Sequence, residues 1–158
     1  MSRPGPAAVA WIRAASVLVA VVALDQGTKA LVRHSLSTSD RNNVFFGVDL
    51  VHVRNRGVAF GFFPGGGTVV SVLTAAALGL LLVFFALNAA RALLWLPTGL
   101  LLGGAAGNLI DRVRDGAVTD FIDLPAWPAF NLADAAITLG VVALVYVLEA
   151  DADDRAPD

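Results

Sequence analysis

Four apolar runs alternate with shorter stretches that hold most of the amides, carboxylates and glycines: Ala7 to Leu24, Thr68 to Leu87, Ala92 to Ile110 and Leu132 to Leu148. Each approaches the roughly 20 residues that an α-helix needs to cross a bilayer. The pattern predicts an all-α integral membrane protein with four transmembrane helices. Arg13, near the start of the first run, is placed to snorkel toward an interface. In the third run Gly99, Gly103 and Gly107 recur every fourth residue, which puts small residues on one helical face and lets another helix approach closely. Between the first two runs, Val51 and Val53 alternate with His52 and Arg54, as a strand would. Val44 to Val48 is the candidate partner, so a small β-sheet is expected in this first long connection. Gly65-Gly66-Gly67 after Pro64 ends the region as a candidate hinge. Residues 149–158 are acidic and read as a solvated, disordered tail.

Composition sharpens the picture. Of 158 residues 57% are hydrophobic and 15% charged, and the mean hydropathy is +0.73, well outside the soluble range. The length fits one membrane domain, residues 1–158. A net charge of −2 without a basic tract argues against nucleic acid as a partner. The absence of cysteine excludes disulfides, thiolate metal sites, a cysteine nucleophile and acylation of this chain on cysteine. Arg3 and Arg13 before an apolar run resemble a signal-peptide start, but Asp25, Gln26 and Lys29 make no small-residue cleavage site, so the run is read as a retained span.

The polar stretches sit at or beside the ends of the apolar runs, so a site built from them would lie at one membrane surface. Asp134 stands just inside the fourth run, about 3 to 5 Å past its entrance at about 1.5 Å per residue, where a carboxylate is costly and a functional candidate. Asp25 and Lys29, four apart, share a helical face and are placed to pair; an ordinary interfacial ion pair explains the spacing equally. Gly57 in Asn55 to Phe60 suits a turn as well as a site. Asn108, Asp111 and Arg112 converge on one face at the end of the third run, either as a site or as a charged helix terminus. Asp120 is embedded between Thr119 and Phe121-Ile122 with no obvious local partner. Asn131 precedes Asp134 by three residues, which aligns amide and carboxylate and also fits a plain N-cap. Two carboxylates close together in a low-dielectric pocket titrate as a unit with one proton held. Asp120 and Asp134 would then activate water and polarise a carbonyl, the logic of aspartic proteases. His34 and His52 are too isolated for a serine triad or a zinc site.

Five motifs, in order, resemble the bacterial lipoprotein signal peptidases, or signal peptidases II: Asp25-Gln26-Gly27-Thr28-Lys29; Asn55-Arg56-Gly57-Val58-Ala59-Phe60; Gly103 through Arg112; Val118-Thr119-Asp120-Phe121-Ile122-Asp123; and Phe130-Asn131-Leu132-Ala133-Asp134. The resemblance implies a four-helix membrane aspartyl endopeptidase that removes signal peptides from diacylglyceryl-modified prolipoproteins, cutting before the lipidated cysteine. It puts the catalytic dyad on Asp120 and Asp134. Asn108, Arg112 and Asn131 fall on positions that shape the pocket and hold substrate backbone, and Asn55, Gly57, Asp25, Asp111 and Ala133 on other motif positions. It further implies both termini in the cytoplasm and an active site near the outer face of the inner membrane, with the small sheet cradling substrate; no cofactor is expected, membrane phospholipids are expected partners, and a monomer is the expectation for an oligomeric state that the sequence leaves open. Trp127, Phe130, Phe45, Phe46, Phe62 and Phe63 suit the interface and acyl chains.

Basic residues count the other way: Lys29, Arg33, Arg41, Arg54, Arg56, Arg112 and Arg114 lie on the connection side, against Arg3, Arg13, Arg91 and Arg155 on the terminal side. Read literally, the positive-inside rule puts the connections in the cytoplasm; several of these residues lie among acidic neighbours, and the resemblance overrides the count. A proton-coupled carrier relaying through Asp25, Asp111 and Asp134 is the alternative function, but it calls for carboxylates through the membrane's depth, and the middles of the second and fourth runs have none. An assembly factor using the glycine face leaves the polar convergence unexplained.

Overall fold

The computed structural model describes residues 5–56 and 67–153. Its order is α1 (Pro6–Ser35), β1 (Arg41–Phe45), β2 (Val48–Asn55), α2 (Gly67–Asn88), α3 (Trp95–Asp115), β3 (Val118–Leu124), β4 (Trp127–Phe130) and α4 (Leu132–Asp153). Gly57, Gly65, Gly66, Phe60, Phe62 and Phe63 lie outside the described residues, and Gly67 opens α2.

Pro6 starts α1, where its missing N–H costs nothing, and the helix runs 30 residues to Ser35, well past the predicted end at Leu24. At 1.5 Å per residue that is about 45 Å, longer than a bilayer's hydrocarbon core of about 30 Å. Asp25 and Lys29 therefore sit within α1, one turn apart, on the part that reaches the far surface. α4 likewise continues to Asp153, beyond the predicted span end at Leu148.

α1, α2 and α4 are long and apolar enough to cross a membrane. α3 differs: it is the central helix, packed between α1 and α4, and it buries Thr98, Asn108 and Asp111 along with its glycines. A Cβ on Gly99 would lie 2.6 Å from Val17 Cβ, and one on Gly103 would lie 2.8 Å from Val21 Cβ, so the glycine face is where α1 makes its close approach. At the opposite end from the sheet, Phe85, Ala89, Leu94 and Val147 close a core with Ala10 and Ala14. Arg13 stacks there over Trp95, 5.6 Å from the ring centre, instead of only reaching for solvent. Outward faces stay apolar, with Leu24, Leu73, Leu80, Leu87, Leu139 and Val142 exposed, as a lipid-facing surface requires.

The sheet is antiparallel in the order β1-β2-β3-β4. Expectation placed it wholly in the first connection; half of it, β3 and β4, comes from the connection between α3 and α4. The short apolar stretches around Asp120 and Phe130 had too little alternation to read as strands by themselves. β2 pairs Leu50 with Ile122 and Val53 with Asp120, so β2 carries one extra residue, a bulge that bends the sheet beside Asp120. β4 is an edge strand, which tolerates Pro128.

Candidate active site

Three local devices bring the polar residues together. Gly116 ends α3 in the left-handed region (φ 67°), its N–H donating to Arg112 O at 3.0 Å, and this turns the chain straight into β3. Residues 118–120 of β3 then run antiparallel to the end of β2, placing Asn55 two residues from the partner of Asp120, and Asn55 Nδ2 donates to Asp120 Oδ2 at 3.0 Å. Asn131 and Asp134 form a reciprocal cap on α4: Asp134 N–H donates to Asn131 Oδ1 at 3.0 Å, and Asn131 N–H donates to Asp134 Oδ2 at 3.2 Å.

Asn131 is fully buried and has a second use. Its Nδ2 donates to Asp120 Oδ1 at 2.7 Å and to Asn108 Oδ1 at 3.1 Å. Asn108 Nδ2 in turn donates to Asp134 Oδ1 at 2.8 Å. Two carboxylates from different elements are thus held by three asparagines, Asn55, Asn108 and Asn131, and all four carboxylate oxygens accept a hydrogen bond. Burial pushes the Asp120 carboxyl up to about 6, the nearby Asp134 charge adds to this, and the bonds from Asn55 and Asn131 oppose it. Asp134 is only half-buried.

Beneath this pair lies a buried ionic layer. Lys29 is completely buried, with Nζ 2.9 Å from Asp25 Oδ2, 3.1 Å from Asp111 Oδ2 and 2.9 Å from Asn108 Oδ1. Asp25 Oδ1 accepts the N–H of Ala133 at 3.0 Å, which fastens α1 to the first turn of α4. Such a carboxylate also suits the positive end of the helix dipole. Asp111 Oδ2 accepts the N–H of Thr119 at 3.1 Å, which fastens α3 to β3. Gln26 Nε2 donates to Asp25 Oδ2, Asp111 Oδ1 and the carbonyl of Gly107. A Cβ on Gly107 would stand 2.5 Å from Asp25 Oδ2, so only glycine leaves room for this layer.

The structure therefore gathers Asp25, Asn55, Asn108, Asp111, Asp120, Asn131, Ala133 and Asp134 in one place. Arg112 is half-buried, its charge within Coulombic reach of Asp134, Asp120 and Asp111. Of the two readings left open for Asp111, a site or a charged helix terminus, the structure places it in the interior, paired with Lys29. Sequence reasoning treated Lys29 only as a partner of Asp25 and overlooked Gln26; a lysine and a glutamine so close to a carboxylate, on a helix long enough to carry them past the span, were the available signal. Among the described residues no group of three His, Asp or Glu is arranged to hold a metal ion. An open concavity lined by Arg41, Asn43, Asp49, Asp123, Pro125 and Trp127 lies at the turn end of the sheet, apart from this cluster.

Residues 17–149 match the family described as Signal peptidase (SPase) II. A lipoprotein signal peptidase from Halothermothrix orenii is 39% identical over 133 residues, covering 84% of this chain and 92% of that protein. One from Moorella thermoacetica is 43% identical over 132 residues, covering 81% and 87%. Among solved structures, a bacterial membrane enzyme determined by the in meso method at 2.3 Å resolution superposes with a TM-score of 0.84 at 32% identity, covering 92% of each chain.

Proposed function

This chain belongs to the signal peptidase II family, and we propose that Asp120 and Asp134 form the dyad with which it works as an aspartic-type peptidase removing signal peptides from prolipoproteins. The observation that carries the reading is Asn131, whose side-chain amide holds Asp120 while its main chain and Oδ1 hold Asp134.

Asp120, the more buried carboxyl, keeps the proton; Asp134 is the base. Asp134 takes a proton from water as the water oxygen adds to the scissile carbonyl carbon, and Asp120 gives its proton to the carbonyl oxygen. The gem-diol then collapses. Its C–N bond breaks, the proton on Asp134 passes to the leaving nitrogen, and a gem-diol hydroxyl proton returns to Asp120. Asn108 and Asn131 keep the two carboxylates in place through the cycle, and Asn55 and Arg112 border the peptide on the sheet side. No resident cofactor takes part.

The substrate is a diacylglyceryl-modified prolipoprotein cut before its lipidated cysteine. In support, Asp25 lies about 28 Å along α1 from Pro6 at 1.5 Å per residue, so the cluster falls at headgroup depth, where a lipid-anchored peptide arrives laterally. The 158 residues act as one monomeric membrane domain with α3 as a fourth span, both termini cytoplasmic and the site at the outer face. Four of the seven basic residues that argued for the opposite orientation stand in ion pairs: Arg41 with Asp49 and Asp123, Arg114 with Asp115, Lys29 with Asp25 and Asp111, and Arg33 with Asp111. The carrier alternative is not supported, because Asp25 and Asp111 are committed to Lys29 in the layer directly beneath the dyad.

The test is cleavage of a diacylglyceryl-modified prolipoprotein by purified protein in detergent, alongside Asp120→Asn, Asp134→Asn and an unlipidated substrate. Wild type cuts only the lipidated form, and each variant loses at least about 1,000-fold in turnover while staying folded. Turnover retained by either variant removes that residue from the dyad, and equal cutting of the unlipidated peptide removes the lipid requirement.

A further inference from the structure

A fully buried lysine is expensive, and the buried ionic layer could be satisfied more cheaply by apolar packing. Lys29 nonetheless lies one hydrogen bond from an asparagine that touches the dyad. We propose that Lys29 is a positioning residue for the reaction: held by Asp25 and Asp111, its ammonium fixes the orientation of the Asn108 amide and so presents that amide's NH2 group to Asp134.

The chemistry forces the orientation. An ammonium only donates, so the Asn108 atom 2.9 Å from Nζ must be Oδ1. Asn131 Nδ2, also a donor, reaches the same oxygen at 3.1 Å. The remaining atom, Nδ2, then has to face Asp134, which it does at 2.8 Å. Without Lys29 only the 3.1 Å bond from Asn131, whose NH2 group also serves Asp120, resists a turn of the amide. Oδ1 would then oppose the carboxylate of Asp134, and only a protonated Asp134 could bond to it, which removes the base.

The charge also acts at a distance. Lys29 opposes the burial that pushes Asp120 up. The groups around Lys29 are Asp25 on α1, Asn108 and Asp111 on α3 and, at Coulombic range, Asp120 on β3, with Asp134 on α4 reached through Asn108. Arg33 and Arg114 stand 3.8 and 3.9 Å from Asp111 Oδ1 at the outer edge of the layer. Losing the Lys29 charge moves the titration of Asp120 to higher pH.

This inference rests on the dyad reading above, so Asp134→Asn is run in parallel. Lys29→Gln/Asp111→Asn, which keeps the layer's net charge, is compared with Asp111→Asn by steady-state cleavage of the lipidated prolipoprotein from about pH 4 to 8, after thermal melting in detergent. Relative to Asp111→Asn, the double variant loses at least about tenfold in kcat with KM within about twofold, and its alkaline limb moves to higher pH. A kcat and an alkaline limb equal to those of Asp111→Asn overturn the proposal. Should the double variant not fold, Asn108→Asp decides: it keeps an acceptor for Lys29 but has no donor for Asp134. It loses at least about tenfold in kcat at unchanged KM, and wild-type kcat overturns the proposal. Turnover by Asp134→Asn instead defeats the dyad reading, whatever the Lys29 variants do.

Discussion

Asn131 and Asp120 are joined by a buried 2.7 Å hydrogen bond from Nδ2 to Oδ1, although they lie on different elements and face each other only because β3 and the start of α4 converge. The same asparagine caps α4 through Oδ1, so one side chain couples helix initiation to the position of a carboxylate.

That double duty can be split. Asn131→Asp keeps an oxygen for the cap but replaces the donor to Asp120 with an acceptor. Turnover should fall by about 100-fold or more, and at low pH, where the new buried carboxyl is protonated, the melting temperature should stay near wild type. Asn131→Ala loses both and should also cost about 1 kcal/mol in cap stability. Comparing melting and cleavage for the two variants checks the split; parallel losses in both variants would count against it.

With the proton on Asp120, activity should decline as pH rises through about 6, where that carboxyl ionises. The bond from Asn55 opposes the upward push on Asp120. Asn55→Ala should therefore displace the alkaline limb of kcat/KM to higher pH. An unmoved or lowered limb would contradict this account.

Stability should follow the same carboxyl. Its folded value of about 6 exceeds the ordinary 3.8, so the folded state binds the extra proton between those values. The stability this contributes is full below about pH 4 and is lost as pH rises through about 6, to a total of about 3 kcal/mol. Thermal melts of wild type and Asp120→Asn across that window should show the variant gaining relative stability with rising pH. A constant difference would mean that Asp120 titrates normally.

Gly107→Ala should be more damaging than an alanine at Gly27, where a Cβ meets nothing within 4 Å. At Gly107 the methyl would meet Asp25 Oδ2 at 2.5 Å and push it from Lys29 and Ala133. A cost of about 1 to 3 kcal/mol in stability is expected, with activity falling alongside. Urea or thermal unfolding in detergent, with cleavage measured on the same samples, checks it.

What the sequence determined by itself was whatever depends on local period and spacing. Apolar runs of bilayer length specify helices, because backbone in lipid must bond internally. The glycine series marks the face where α1 meets α3, because only a missing Cβ admits another backbone. The i, i+3 spacing of Asn131 and Asp134 encodes their mutual cap. Nothing local, however, says that Asp120 must face Asp134, that β3 must sit beside β2, or that Lys29 must reach Asn108, 79 residues away. Those meetings depend on the crossing of α1 with α3, on the αL turn at Gly116 and on the sheet register. Tertiary structure decided them, because a buried charge is tolerable only where several distant partners arrive together, and packing alone sets which partners those are.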